Sequence, residues 1–175
     1  MSGSFVAVSP NSADSLREPA GADGNLPVTA PYNDEMEARR WEHFEHDADI
    51  GLKAAAMTRA GLFEAMGEAL TAIVTDPSGV RATDAILIRC SAPDNAVLLV
   101  DWLNALIYEM ATRRMVFSSW QVELDGCDLE ARVEGETVDR ERHRPVVEVK
   151  GATYTELSVE QGSDGQWRGQ CIVDV

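Results

Sequence analysis

Three short stretches concentrate groups that could do chemistry. In His46–Asp47–Ala48–Asp49–Ile50–Gly51, polar residues crowd the end of a strand-like run, and Gly51 permits a tight backbone there. At the end of the sequence Asp174 is penultimate, and Val175 adds an α-carboxylate one residue away. A hard divalent cation takes several oxygens from carboxylates and carbonyls. Two strand ends brought together could supply Asp49, Asp174 and the Val175 terminus. The bland alternative is solvated surface, the ordinary fate of most of the 30 acidic residues. Lys150 is the third feature, one of only two lysines beside 13 arginines. It lies on the face of Glu148 in a β-like run. It reads either as a cross-strand ion-pair partner or as a fixed cation beside the acidic site, contacting phosphate or a partner carboxylate.

Other chemistries find little support. The chain has no GxSxG, GxxxxGK[ST] or GxGxxG. His43 and His46 are three apart, so on a strand they point to opposite faces. His143 lies in the Arg-rich run Arg140–Arg144 and reads as solvated. Cys90, Cys127 and Cys171 are odd in number and far apart, with no CxxC spacing. Buried free thiols in a reducing, cytoplasmic setting fit better than disulfides or zinc.

Lysine and arginine number 15 against 30 acids, a formal net charge of −15. That argues against direct nucleic-acid binding, which needs a basic face, and suits a cation or a basic protein partner. No apolar run approaches the roughly 18 residues of a membrane span, and residues 1–25 do not read as a signal peptide.

The elements that must position these groups begin at Trp41. Residues 1–40 are rich in Ser, Pro, Ala, Asn, Asp and Gly, and read as a disordered tail with at most a helical turn at Asp34–Arg40. Residues 41–175 read as an α+β domain: two helices on a mixed, largely antiparallel β-sheet. Trp41–Asp49 is strand-like and leads into a second extended piece. Leu62, Phe63, Met66, Leu70 and Ile73 mark one face of a helix over 59–75, with Glu64 and Glu68 on its wet side. Ala85–Ser91 alternates as a strand. Asp94 is a candidate N-cap for a helix to Arg114 that is apolar nearly all round, hence covered by other elements. Asp101, Asn104 and Tyr108 share one rim of it. Trp120–Leu124 and Cys127–Val133 alternate around Asp125–Gly126, a hairpin signal. Gly135–Pro145 reads as a charged loop, Val146–Gln161 as one long strand or a bent pair with Gly151 at the bend, and Gln166–Val175 as the last strand.

Read together, these stretches resemble the archease family. His46–Asp47–Ala48–Asp49–Ile50–Gly51 is similar to its H-x-A-D-[IV]-G motif, with Asp47 where Thr is frequent. Gly61–Leu62–Phe63–Glu64–Ala65–Met66 resembles its first helix, and Leu98–Tyr108 its second. Val147–Glu148–Val149–Lys150–Gly151–Ala152–Thr153–Tyr154 resembles the E-[IV]-K-A-x-T-Y strand, and Cys171–Ile172–Val173–Asp174–Val175 the closing V-x-F-D-[VI]. The five stretches fall in the family's order, and Gly151 and Val173 depart from a usual Ala and a common Phe.

The resemblance implies a small α+β accessory protein of RtcB-type RNA ligases, not itself an enzyme. Such ligases join a 3′-phosphate or 2′,3′-cyclic phosphate end to a 5′-hydroxyl end, using GTP and manganese through a guanylylated histidine. The family promotes guanylylation and multiple turnover in tRNA splicing or RNA repair. It also implies a divalent ion, calcium in some members with manganese or magnesium as alternatives, held by Asp49, Asp174 and Val175. Lys150, with Asp49 and His46, would serve partner activation. Two other readings are a metal-dependent enzyme on a small phosphate ester, and a general chaperone or interaction module.

Overall fold

A computed structural model describes residues 39–175. The expected tail over 1–40 therefore lies outside the described residues, apart from Arg39 and Arg40. Two strands open the fold, β1 (Arg40–His46) and β2 (Asp49–Ala56), followed by helix α1 (Arg59–Val74). Strand β3 (Asp84–Ser91), helix α2 (Asn95–Arg113) and the hairpin β4 (Met115–Asp125) and β5 (Asp128–Thr137) come next. A helical turn, α3 (Arg140–His143), precedes β6 (Gly151–Ala152), β7 (Ser158–Gln161) and β8 (Trp167–Asp174).

The α+β class is as the sequence implies. The described strands pair antiparallel and divide into two sheets. One has the order β1-β2-β8-β6, with β7 also on β8; the other has the order β3-β5-β4. Helix α1 packs on β1, β2 and β8 of the first sheet and on β4 of the second. Helix α2 likewise touches β6 and β7 as well as β3, β4 and β5. This double coverage explains why α2 is apolar nearly all round: Leu98, Leu99, Trp102, Leu103 and Leu106 are fully buried. The Trp102 indole N–H donates to the Phe63 carbonyl at 3.0 Å, fixing one helix against the other.

Local chemistry sets the element ends. Thr58 caps α1 by accepting from Gly61 N–H at 3.0 Å, and Asp94 caps α2 by accepting from Val97 N–H at 2.9 Å. Glu64, expected on the wet side of α1, instead bridges elements. It accepts from Val122 N–H of β4 at 3.0 Å and pairs with Arg39. The hairpin loop is Gly126–Cys127, with Gly126 at φ +56°.

Three departures from the sequence expectation have physical causes. Strand β4 starts at Met115, five residues early, because Ser118 is an extra residue in the ladder and breaks the simple alternation. Strand β5 runs through Gly135 to Thr137; a Cβ at Gly135 would lie 2.0 Å from the Val116 carbonyl oxygen, so this glycine allows the close approach beside the bulge. Val146–Gln161 forms only the short β6 and β7, and Gly151 pairs with Asp174 rather than marking a bend.

His143 is buried rather than solvated. Its Nδ1 accepts from Asp139 N–H at 2.9 Å, so Nε2 carries the proton and donates to Glu136 Oε1 at 3.2 Å. Glu136 also accepts two bonds from Arg142, each 2.6 Å, and one from Arg81 N–H at 2.6 Å. The Arg142 guanidinium, then the Arg81 amide, hold the Glu136 carboxyl down at about 2, against an ordinary 4.5. Asn104, at the rim of α2, accepts from Ala152 N–H at 2.9 Å and donates to Ala152 C=O at 3.2 Å, so its amide stands in for a neighbouring strand.

Two predictions follow from these contacts. A depressed folded-state pKa gives stability that is full above the unfolded value and lost as pH falls through the folded one. Glu136 therefore stabilises the fold fully above about pH 4.5, and that contribution fades toward pH 2. Thermal unfolding across this window should show Glu136→Gln less stable at neutral pH and less sensitive to acid; an unchanged acid slope would refute the assignment. Asn104→Ala leaves both Ala152 groups unpaired and should cost about 1–3 kcal/mol in urea unfolding, with faster amide exchange at Ala152.

Candidate functional site at the sheet end

The site is built by strand β8, which pairs on both edges. Against β2 its ladder runs to Ile50 opposite Val173, leaving Asp49 and Asp174 as the next residues of the two strands. On β1, His46 is the partner of Asp49. On the other edge Gly151 is the partner of Asp174, and Lys150 N–H donates to the Asp174 carbonyl at 2.8 Å. One end of the sheet thus carries His46, Asp49, Asp174, Val175 and Lys150 in neighbouring positions. Paired residues of antiparallel strands share a face, and on β2 the face of Leu52 and Ala54 turns to the core. His46, Asp49 and Asp174 therefore belong to the opposite, outer face.

The turn that joins β1 to β2 is Asp47–Ala48, with Asp47 in the left-handed region at φ +51°. The positive φ falls on Asp47, a residue type that tolerates it. Gly51 serves a different purpose from the one its sequence position suggests. The Phe44 ring lies over it, and a Cβ there would come 2.1 Å from the ring. Lys53 Nζ in turn sits 4.3 Å from the centre of that ring.

The two histidines separate as strand geometry requires. His43 turns to α1, with Nε2 2.8 Å from the Ala69 carbonyl oxygen. His46 stays at the sheet end, with Nε2 3.9 Å from Glu156 Oε1 and a buried Nδ1 that has no partner among the described residues. Glu156 is the residue that sequence reading missed. It sits in a turn at φ +49° and also accepts from the Gln170 side chain at 2.9 Å. No pattern marks it, because its position depends on how 153–157 loops beside β8.

Lys150 does not pair with Glu148. Its Nζ donates to the Val175 main-chain oxygen at 2.8 Å and lies 4.0 Å from Asp174 Oδ1. Lys150 and Asp174 are both more than half exposed, so the pair itself adds little stability and leaves the oxygens open to exchange partners. Replacing the usual Ala by Gly151 has no steric consequence, since a Cβ there meets only Asn104 Oδ1 at an ordinary 3.6 Å.

The oxygens of Asp49, Asp174 and Val175 are a hard donor set, which fits calcium, magnesium or manganese better than zinc. Among the described residues no group of three or more His, Cys, Asp and Glu side chains is arranged to hold a metal. A cation held by these two aspartates would take its third ligand from the main chain or water. The cysteines are free, and burial raises the thiols of Cys90 and Cys171 to about 11. Those two thiols are protonated at neutral pH and unsuited to nucleophilic or metal chemistry. No described helix is long and apolar enough to cross a membrane.

The Archease protein family (MTH1598/TM1083) matches residues 41–175. Protein archease of Pyrococcus furiosus is 33% identical over 141 residues, covering 78% of this chain and 99% of that one. Protein archease of Methanosarcina acetivorans is 32% identical over 144 residues, covering 79% and 98%. The solution structure of Methanobacterium thermoautotrophicum protein 1598 aligns with a TM-score of 0.69 at 29% identity, over 77% of this chain and 98% of that one. With the sheet-end residues falling inside the matched span, the chain belongs to the archease family.

Proposed function

We propose that this archease-type accessory protein activates an RtcB-type RNA ligase in the cytoplasm, promoting its guanylylation and repeated turnover in tRNA splicing or RNA repair. One observation carries the reading: a single sheet end gathers His46, Asp49, Lys150, Asp174 and Val175 from β1, β2, β8 and the segment before β6. These are the positions at which the sequence resembles the family motifs.

The division of labour follows from the chemistry of each group. Asp49, Asp174 and the Val175 main-chain oxygen would hold a divalent ion, calcium, manganese or magnesium. When bound, that ion supplies concentrated positive charge to a phosphate or a partner carboxylate. Lys150 already presents its ammonium to the same oxygens at 2.8 Å and 4.0 Å. It neutralises them in the free protein and can turn to an anionic group of the ligase. His46 backs Asp49 across the β1–β2 turn. The net charge of −15 favours approach to a basic, RNA-binding ligase.

The test is GTP-dependent label transfer onto a co-purified RtcB-type ligase. The wild-type chain should raise the guanylylated fraction and allow more than one ligation per enzyme. Asp49→Ala, Asp174→Ala and Lys150→Ala should each lose most of that stimulation while melting close to wild type, because their side chains make few internal contacts. Full stimulation by all three variants would overturn the reading. Calorimetric titration with calcium checks the ion separately: one saturable site, lost in Asp174→Ala, is expected.

A further inference from the structure

The most strand-like run in the sequence, Val146–Val147–Glu148–Val149–Lys150, belongs to no sheet. It is tied at its two ends, by Val146 N–H to the Val74 carbonyl at 3.1 Å and by Lys150 N–H to the Asp174 carbonyl at 2.8 Å. Between these ties, the main-chain N–H and C=O groups of Val147, Glu148 and Val149 have no hydrogen-bond partner among the described residues. Val149 is nonetheless only 8% exposed. Val146, Glu148 and Lys150 are exposed, so only the Val149 side chain is fixed in the core and the run presents an open, β-branched strand edge to solvent, a template for pairing with another chain.

The segment forms one wall of a cleft of about 990 Å³. Val74, Ile107, Met110 and Val116 supply an apolar lining from α1, α2 and β4. Arg114, Arg140 and Arg144 add three guanidinium groups against one carboxylate, Glu148. Among the described residues Arg114 and Arg140 have no ion-pair partner, and Arg144 has only the Glu141 carbonyl at 3.4 Å. In a chain with a net charge of −15, a cleft with an excess of unpaired positive charge is selective for an anionic occupant.

We infer that this cleft docks an extended, acidic peptide segment of a partner protein, which pairs as an added strand with Val147–Val149 and sets its carboxylates on Arg114, Arg140 and Arg144. Added-strand docking takes affinity from the main-chain bonds and specificity from alternate side chains. The apolar lining receives the inward-facing residues of such a strand, and the arginines read those that face out. The surface is distinct from the acidic sheet end and carries the opposite charge. A ligase could therefore be held at one place by its basic surface and at another by an acidic tail, or two partners could be held at once.

The probe is a fluorescein-labelled peptide alternating aspartate with valine, titrated with the full chain by fluorescence anisotropy. Its lysine–valine counterpart and a version N-methylated at alternate amides serve as controls. The aspartate peptide should bind, and both controls should lose about tenfold or more. Arg140→Glu combined with Arg144→Glu should weaken the aspartate peptide by about tenfold, as expected for removing and reversing two charge contacts, with unfolding unchanged. Amide exchange at Val147, Glu148 and Val149 should be fast in the free chain and slow in the complex. Equal binding of all three peptides, tighter binding of a single-stranded RNA of similar length, or protection of these amides by a concentration-dependent dimer would each overturn the inference.

Discussion

The double-sided pairing of β8 is the constraint on which the rest depends. A strand with partners on both edges cannot slip by one residue without exchanging its buried and exposed faces. Cys171 and Val173 are fully buried toward the helices, so the register against β2 is fixed from the core. Once Ile50 stands opposite Val173 and Gly151 opposite Asp174, the ends of three remote stretches must meet. Asp49, Lys150 and Asp174 are then neighbours, although more than a hundred residues separate the first from the other two. The site is a consequence of core packing rather than of any local loop.

The helices make that register enforceable. Placed against both sheets, α1 and α2 bring all the larger elements into one apolar cluster. Asn104 extends this control to the periphery. Strand β6 has only two residues, too few to hold its own place, and the Asn104 amide secures it with two hydrogen bonds to Ala152. The polar residue that interrupts the apolar surface of α2 thereby positions the residue next to Gly151, and through it the approach of Lys150 to the sheet end.

How much of this was legible in the sequence depended on the range of the interaction. The helices, the cap at Asp94, the alternation in β3 and β5 and the separation of His43 from His46 are local patterns, and each survives in the structure. The meeting of Asp49 with Asp174 could be stated as a geometric option, and motif resemblance singled it out; periodicity alone could not choose the strand order. Features set by tertiary contacts were not readable. His143 sits among charged neighbours in the chain, yet Glu136, seven residues away, draws it inside. Gly51 looks like a backbone device, but its requirement is room for Phe44. Glu156 reaches His46 through a turn whose course no pattern encodes.

The run 147–149, without main-chain partners among the described residues, is the most informative mismatch between pattern and structure. Local preference there is strongly β, and a sequence normally places such preference where a ladder can use it. Here the ladder is missing on the chain's own side, while the same segment leads directly into Lys150. Lys150, the next residue, is anchored to Asp174, so an added strand on 147–149 would stiffen the backbone that carries the lysine. Docking in the basic cleft and the position of the ammonium at the acidic end would then share one rigid connection. Lys150 lies three residues beyond Val147, roughly 10 Å of extended chain, short enough for one event to be felt at the other. With such a strand docked, the two surfaces of opposite charge would be mechanically linked by the segment that lies between them.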